Sequence, residues 1–266
     1  MSTPLRVGRI AALNMYPIYH GLERAGEPAF AFTDGLPSEL NHAVLDGRLD
    51  VSAMSSIEYA RNAGDLRLLP VASISAAGAV DSIQVFSRVP FDDLRTVAVT
   101  PHSATSVALL RILVGPAVRF TPLRQRADEA LRDVDGVLLI ADEALHGLRD
   151  GLAPHTTDLG ERWEALTGLP MVFAVWAARA DVARTRPEQL DTLSRSLTDA
   201  QDRYARDPEA VVQAAAERFP FPADYIRGYF DRLSYRFGPS ERHGLTHFLE
   251  LAQRAGELPT VPVLAA

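Results

Sequence analysis

The 266-residue sequence contains no cysteine and no lysine. Without cysteine there are no disulfides, no thiolate metal ligands and no cysteine nucleophile. Without lysine, all 27 basic residues are arginines, which removes Schiff-base chemistry, a lysine-anchored pyridoxal phosphate and the P-loop lysine together. An anionic ligand must therefore be held by arginine, hydroxyls or backbone N–H groups. Positive charge is not in excess either: the net charge of −7 argues against a nucleic-acid partner and offers no attraction to an anionic membrane. No apolar run approaches the roughly 20 residues of a membrane-spanning helix. The opening segment from Met1 to Ile10 has no run long enough for a signal peptide, so a cytoplasmic protein is expected. The common catalytic motifs are missing as well. His243 and His247 stand four apart without the glutamate of a zinc-protease helix, and there is no glycine-rich phosphate loop, nucleophile elbow or Ser-His-Asp order.

What is present is a steady alternation of short apolar runs and helical periodicity. In the first third, strands are expected at Leu5 to Ala11, Ala29 to Thr33, Val51 to Met54 and Leu68 to Ser75. Helices fall between them at Pro17 to Arg24, Pro37 to Asp46 and Ser56 to Asn62. Val80 to Ser87 reads as a crossing strand. A second series follows, with strands Thr96 to Val99, Val118 to Thr121 and Gly136 to Ala141, and helices Ser103 to Leu113, Arg126 to Asp133 and Glu143 to Leu148. A helix over Glu161 to Thr167 and a long apolar strand over Pro170 to Ala178 carry the chain back. Four helices close it: Pro187 to Arg206, Pro208 to Arg218, Pro222 to Leu233 and Ser240 to Gly256. Strands joined through helices imply parallel pairing. The expected fold is two α/β lobes joined by two crossing strands, the type II periplasmic-binding-protein plan, with residues 1–86 and 177–266 in lobe I and 87–176 in lobe II. The ligand cleft lies between the lobes.

Two strand-to-helix corners attract attention. Asp50 to Tyr59 passes from an apolar strand through Ser55 and Ser56 into a helix; Val97 to Ala108 does the same through Ser103, Thr105 and Ser106. The first turn of a helix leaves N–H donors unpaired at its positive end, so such corners take carboxylates or phosphates. Ser and Thr are also good N-caps, which is the alternative at either corner taken alone. Two corners together suit a ligand with two anionic ends. Asn14 follows the first strand, where open α/β sheets place ligands, or else is an N-cap or Asx turn ahead of Pro17. Ser82 lies on the crossing strand, facing the cleft or bonded to backbone. Asp142 ends a strand and is placed to cap the next helix. Glu58 and His102 are the titratable groups nearest the corners.

An ordered set of motifs gives these residues a family context. The chain reads Val7-Gly8-Arg9-Ile10, then Leu13-Asn14 with Pro17, Tyr19 and Gly21-Leu22, then Ser55-Ser56-Ile57-Glu58-Tyr59. Further along come Ser82, Thr105-Ser106-Val107, Leu139-Ile140-Ala141-Asp142, Asp158-Leu159-Gly160, Phe173-Ala174-Val175-Trp176 and Tyr235-Arg236-Phe237-Gly238. Over nearly its whole length the sequence resembles the chorismate dehydratases of the futalosine route to menaquinone. The resemblance implies a lyase without a cofactor that removes water from chorismate, a small molecule with two carboxylates, to give 3-[(1-carboxyvinyl)oxy]benzoate. It further implies that Asn14 and Ser82 lie against the substrate as catalytic residues. Ser55, Ser56, Ser103, Thr105, Ser106 and Asp142 are the expected substrate-binding set. Neither Asn14 nor Ser82 is a base at neutral pH, so either a titratable side chain or the substrate's enolpyruvyl carboxylate takes the proton. Competing readings are the sister lyase acting on cyclic dehypoxanthinylfutalosine and a non-catalytic solute-binding protein.

Overall fold

The computed structural model describes residues 3–24 and 30–264. The chain opens with β1 (Leu5–Ile10), a 3-10 turn (Leu13–Met15), α1 (Tyr16–Arg24), β2 (Phe30–Gly35), α2 (Pro37–Leu45), β3 (Val51–Ser55), α3 (Ser56–Arg61) and β4 (Leu66–Ala76). A second series contains β5 (Ile83–Ser87), β6 (Thr96–Val99), α4 (Ala104–Val114), β7 (Arg119–Pro122), α5 (Ala127–Ala130), β8 (Gly136–Ile140), α6 (Ala141–Asp150), β9 (His155–Asp158) and α7 (Leu159–Thr167). The return runs through β10 (Met171–Arg179), α8 (Ala180–Thr185), α9 (Pro187–Arg206), α10 (Pro208–Ala216), α11 (Ala223–Phe230), β11 (Ser234–Arg236) and α12 (Pro239–Arg254). Ala29, the first residue of the expected second strand, lies outside the described residues.

The strands form two sheets, one per lobe, in the orders β11-β4-β10-β3-β1-β2 and β7-β6-β8-β5-β9. Pairing is mixed rather than wholly parallel. β1, β2 and β3 run parallel, as do β6, β7 and β8, but β10 is antiparallel to both β3 and β4, and β5 to both β8 and β9. β5 and β10 are the strands by which the chain enters a lobe from the other one, and β11, at the edge of the first sheet, is antiparallel to β4 as well. The changeovers also differ from the expected lobe limits. All of Ile83–Ser87 pairs within the second sheet and all of Met171–Arg179 within the first, so the chain passes between lobes at 77–82 and again at 159–170.

Burial follows from the pattern of apolar residues. β3 and β5 are buried at every position, as expected of strands covered on both faces. Trp163, Trp176, Tyr229, Phe86, Phe230 and Phe248 are fully buried, and one apolar core runs continuously through both lobes while a smaller one sits around Phe86 and Val137. Leu190, Leu193, Leu197 and Ala200 form the buried stripe of α9, which packs on α1. That approach is close: a Cβ at Gly21 would stand 2.5 Å from the Cβ of Ala200, so the position takes only glycine without displacement. Proline occupies the first turn of α2, α9, α10 and α12, where its missing N–H costs nothing.

Both interlobe connections meet one side chain. Asp158 Oδ2 accepts hydrogen bonds from the N–H groups of Val80 (3.0 Å) and Asp81 (2.6 Å) and from Gln84 Nε2 (2.7 Å). Its Oδ1 caps α7, accepting from the N–H groups of Gly160 (2.8 Å) and Glu161 (3.1 Å). Residues 80–82, expected as strand, form a tight γ-turn instead, with the Ser82 N–H donating to Val80 O at 2.6 Å and Asp81 at φ 57°.

Candidate active site

A cavity of about 470 Å³ opens between the lobes, within the size range of small-molecule sites. Lobe I contributes the segment after β1 with Asn14, the end of β2 with the start of α2, Ser55 at the end of β3, and Phe173 and Ala174 of β10. Lobe II contributes His102, Ser103 and Ser106 around the start of α4, and Ile140 to Glu143 at the start of α6, with Ser82 at the junction. Helix beginnings from both lobes thus face one space. Among the described residues, no arginine lines it. Anion binding in this cavity falls to hydroxyls, amides and helix starts.

Six of the eight residues singled out in the sequence line the cavity: Asn14, Ser55, Ser82, Ser103, Ser106 and Asp142. Asn14 caps nothing; its Oδ1 is buried without a hydrogen-bond donor among the described residues, an uncommon condition that leaves this acceptor open to a donor from outside the chain. Ser55 precedes α3 but makes no side-chain cap bond, so its hydroxyl remains available. Ser103 does cap α4: its Oγ accepts from the Ser106 N–H at 3.2 Å and lies 2.8 Å from the Ser106 hydroxyl.

Ser56 and Thr105, expected in the substrate-binding set, do not line this cavity. Both are fully buried and turned away from the cavity. The Ser56 hydroxyl donates to Val172 O at 2.7 Å, fastening α3 to β10, and Thr105 Oγ1 accepts from the Ile57 N–H at 3.2 Å, joining α4 of lobe II to α3 of lobe I. Neighbouring positions on a helix point in different directions, so a run of hydroxyls at a corner cannot all face one ligand. The capping role expected for Asp142 is corrected too. The cap position of α6 is Ile140, and Asp142 Oδ1 instead accepts from the Leu13 N–H across the cleft at 3.1 Å. Burial pushes its carboxyl above the usual range, partly offset by that hydrogen bond and by His146.

The floor beneath Ser82 is held in an unusual backbone. Ser82 O accepts from the Ala141 N–H at 2.7 Å, and Asp81 and Ala141, at φ 57° and 49°, are non-glycine residues in the left-handed region. Such conformations cost about 1–3 kcal/mol each and gather at functional sites. Behind Ser82, the hydroxyl of the buried Tyr229 is directed at it yet completes no hydrogen bond of normal geometry. Neither signal was readable from the sequence, since positive φ at alanine or aspartate leaves no compositional mark.

Among the titratable groups, Glu58 is removed from candidacy: it pairs with Arg61 at 2.7 Å and does not reach the cavity. His102 does line it, with Nδ1 3.3 Å from the Ser38 hydroxyl of the opposite lobe. Asp34 pairs with Arg9, and Glu39 accepts from the Leu36 N–H at 3.0 Å. The Gly35-Leu36-Pro37 approach to α2 was not anticipated as part of the site, although a proline at the helix start marked the corner.

Among known proteins, the chorismate dehydratase of Thermus thermophilus is 32% identical to this chain, covering 93% of it and 94% of that protein. The 1,4-dihydroxy-6-naphtoate synthase of the same organism is 28% identical over 82% of the chain and 75% of its own length. In three dimensions the fold is that of periplasmic binding proteins. A Candida albicans protein described as having the generic form of that fold superimposes with a TM-score of 0.69 at 10% identity, covering 99% of this chain and 93% of that one. The sequence pattern described as "Menaquinone biosynthesis" matches residues 5–254. The chain belongs to the menaquinone biosynthesis family.

Proposed function

We propose that this protein is a chorismate dehydratase, converting chorismate to 3-[(1-carboxyvinyl)oxy]benzoate and water. The observation that carries the reading is the convergence of Asn14, Ser55, Ser82, Ser103 and Ser106 on one interlobe cavity, in a chain similar to a chorismate dehydratase over 93% of its length. Chorismate brings two carboxylates, and hydroxyl-bearing helix starts on opposite lobes are suited to hold one each. A site so built orients and polarises the substrate, and aromatisation of the ring supplies the driving force.

Asn14 and Ser82 are the assigned catalytic contacts, Asn14 through its unpartnered amide and Ser82 through a hydroxyl held over the turn at Asp81. The proton on the ring carbon bearing the ether passes to the substrate's own enolpyruvyl carboxylate. The ion pairing of Glu58 away from the cavity and the engagement of Asp34 and Glu39 with protein groups support that choice. Of the two titratable groups nearest the corners, His102 is the one left as a rival base. Its replacement by Gln should leave measurable single-turnover dehydration, whereas Asn14→Asp, which adds negative charge beside a dianion, should be severely impaired.

Purified protein incubated with chorismate and a chelator should consume it with the loss of one water, followed by ultraviolet absorbance and mass. Unchanged chorismate would end the reading. The 28% identity to the naphtoate synthase favours one alternative, the sister lyase reaction on cyclic dehypoxanthinylfutalosine. Turnover of that compound but not of chorismate would establish it, and tight binding of either without turnover would indicate a solute-binding protein.

A further inference from the structure

Four carboxyl groups line a cavity that has no arginine: Asp34, Glu39, Asp142 and Glu143. Three are accounted for, since Asp34 pairs with Arg9, Glu39 accepts from the Leu36 N–H and Glu143 is exposed at the rim. Asp142 is different. It is part-buried, its Oδ1 is fixed by the Leu13 N–H at 3.1 Å, and its Oδ2 has no hydrogen-bond partner among the described residues. The groups around it offer little positive charge. On α6 itself stand Glu143 and His146, whose Nδ1 is buried without a partner and whose ring stacks on Phe221 at 4.9 Å. Tyr229 approaches from α11, and Asp34, Glu39 and His102 face it across the cavity. A ligand carrying two carboxylates would therefore meet an ionised Asp142 with no guanidinium between them, and like charges at such range drive one group to take up a proton.

We propose that Asp142 enters the complex as a neutral carboxylic acid and is the catalytic acid that protonates the departing ring hydroxyl, an inference that rests on the dehydratase reading. In this step the C–H bond at the ether-bearing carbon breaks and its proton joins the enolpyruvyl carboxylate. The electron pair becomes a ring double bond as the neighbouring C–O bond breaks, and the Asp142 proton converts the leaving hydroxide to water. Proton return from the enolpyruvyl carboxylic acid, directly or through solvent, restores Asp142, so no further reactant is needed. Burial already raises the Asp142 pKa, so less is needed for the carboxylate to take up its proton when ligand arrives. The Leu13 N–H holds one oxygen in place, which leaves the other to carry the proton toward substrate.

The test is Asp142→Asn, which keeps an acceptor for Leu13 and a neutral donor toward the cavity but has no acidic proton. Its kcat should fall by about 10²- to 10⁴-fold, the usual range for a lost general acid, with KM changed only a few-fold. Wild-type kcat should decline as pH rises through the Asp142 pKa of the complex, and the residual rate of the variant should lose that limb. Calorimetric titration of wild-type protein with the product, in buffers of different ionisation enthalpy above neutral pH, should report uptake of about one proton per ligand. The variant should take up none. Wild-type turnover with no proton uptake, or an Asp142→Asn protein as fast as wild type, overturns the inference and leaves the dehydratase reading intact. Wild-type protein that neither binds product nor consumes chorismate overturns both.

Discussion

The corners at Ser55 and at Ser103 look alike in sequence but are built differently. At the first, β3 and the start of α3 are buried, the Ser55 hydroxyl is not used for capping, and the neighbouring Ser56 is spent on β10. At the second, Ser103 and Ser106 bond to each other while Ser103 caps α4, and Thr105 reaches back to the first corner through Ile57. Their strands are anchored differently as well. Asp50, directly ahead of β3 and 2% exposed, holds Arg6 and Arg186 together with the Arg6 N–H. Asp135, part-buried, steadies the start of β6 by accepting from the N–H groups of Arg95 and Thr96. At the first corner the free hydroxyl and the bonded one belong to different residues; at the second, Ser103 both lines the cavity and caps the helix.

The largest expected effect tests the anchor of the first corner. Asp50→Asn leaves two arginines without their charge partner and should cost about 3 kcal/mol, the low end for a broken buried pair because Arg6 is 45% exposed. Burial alone would raise the Asp50 carboxyl, but the Arg6 hydrogen bonds and the Arg6 and Arg186 charges outweigh it and hold it below the usual range. Its contribution is therefore present above about pH 4 and lost as pH falls toward the folded-state value. Urea denaturation of wild type should weaken in that acid window, and the variant should show less of this loss.

A smaller effect separates the corners directly. Ser55→Ala should weaken binding of the product by about 1–3 kcal/mol, the range for a hydrogen bond to a charged group, while leaving the urea midpoint unchanged. Thr105→Val should do the reverse: about 1–3 kcal/mol of stability lost through the unsatisfied, buried Ile57 N–H, with calorimetric affinity near wild type. Ser103→Ala should lose both together, including about 1 kcal/mol of stability for the cap. Equal losses of stability for Ser55→Ala and Ser103→Ala would erase the distinction drawn here. The smallest change belongs to Ser56→Ala, about 0.5–1.5 kcal/mol of stability for one neutral hydrogen bond, with binding untouched.

The sequence made the two-lobe plan legible because most elements carry their own signals. α9 was bounded at Pro187 and Arg206 by its proline start and apolar stripe, and Ser103 was readable as a cap. Elements set by distant contacts were not. β9 and β11 are short and exist because β5 and β4 offer open edges, and the expected helix from Arg126 shrinks to the single turn Ala127–Ala130. Within the corners, the hydroxyl pattern identified the right segments but not which side chains face inward, since that depends on how α3 and α4 lean on each other and on β10. Asp142 bonds to Leu13 rather than capping α6, because nothing local to it announces a partner 129 residues away.

The side chain of Asp158 restricts how the two halves can move. Five donors, two from each connection and one from Gln84 of β5, converge on one carboxylate. Those bonds tie the two crossings to each other, so sliding one crossing past the other would have to rupture several of them at once. One side chain thus fixes the spacing of the two chain crossings to within hydrogen-bond reach of a single carboxylate.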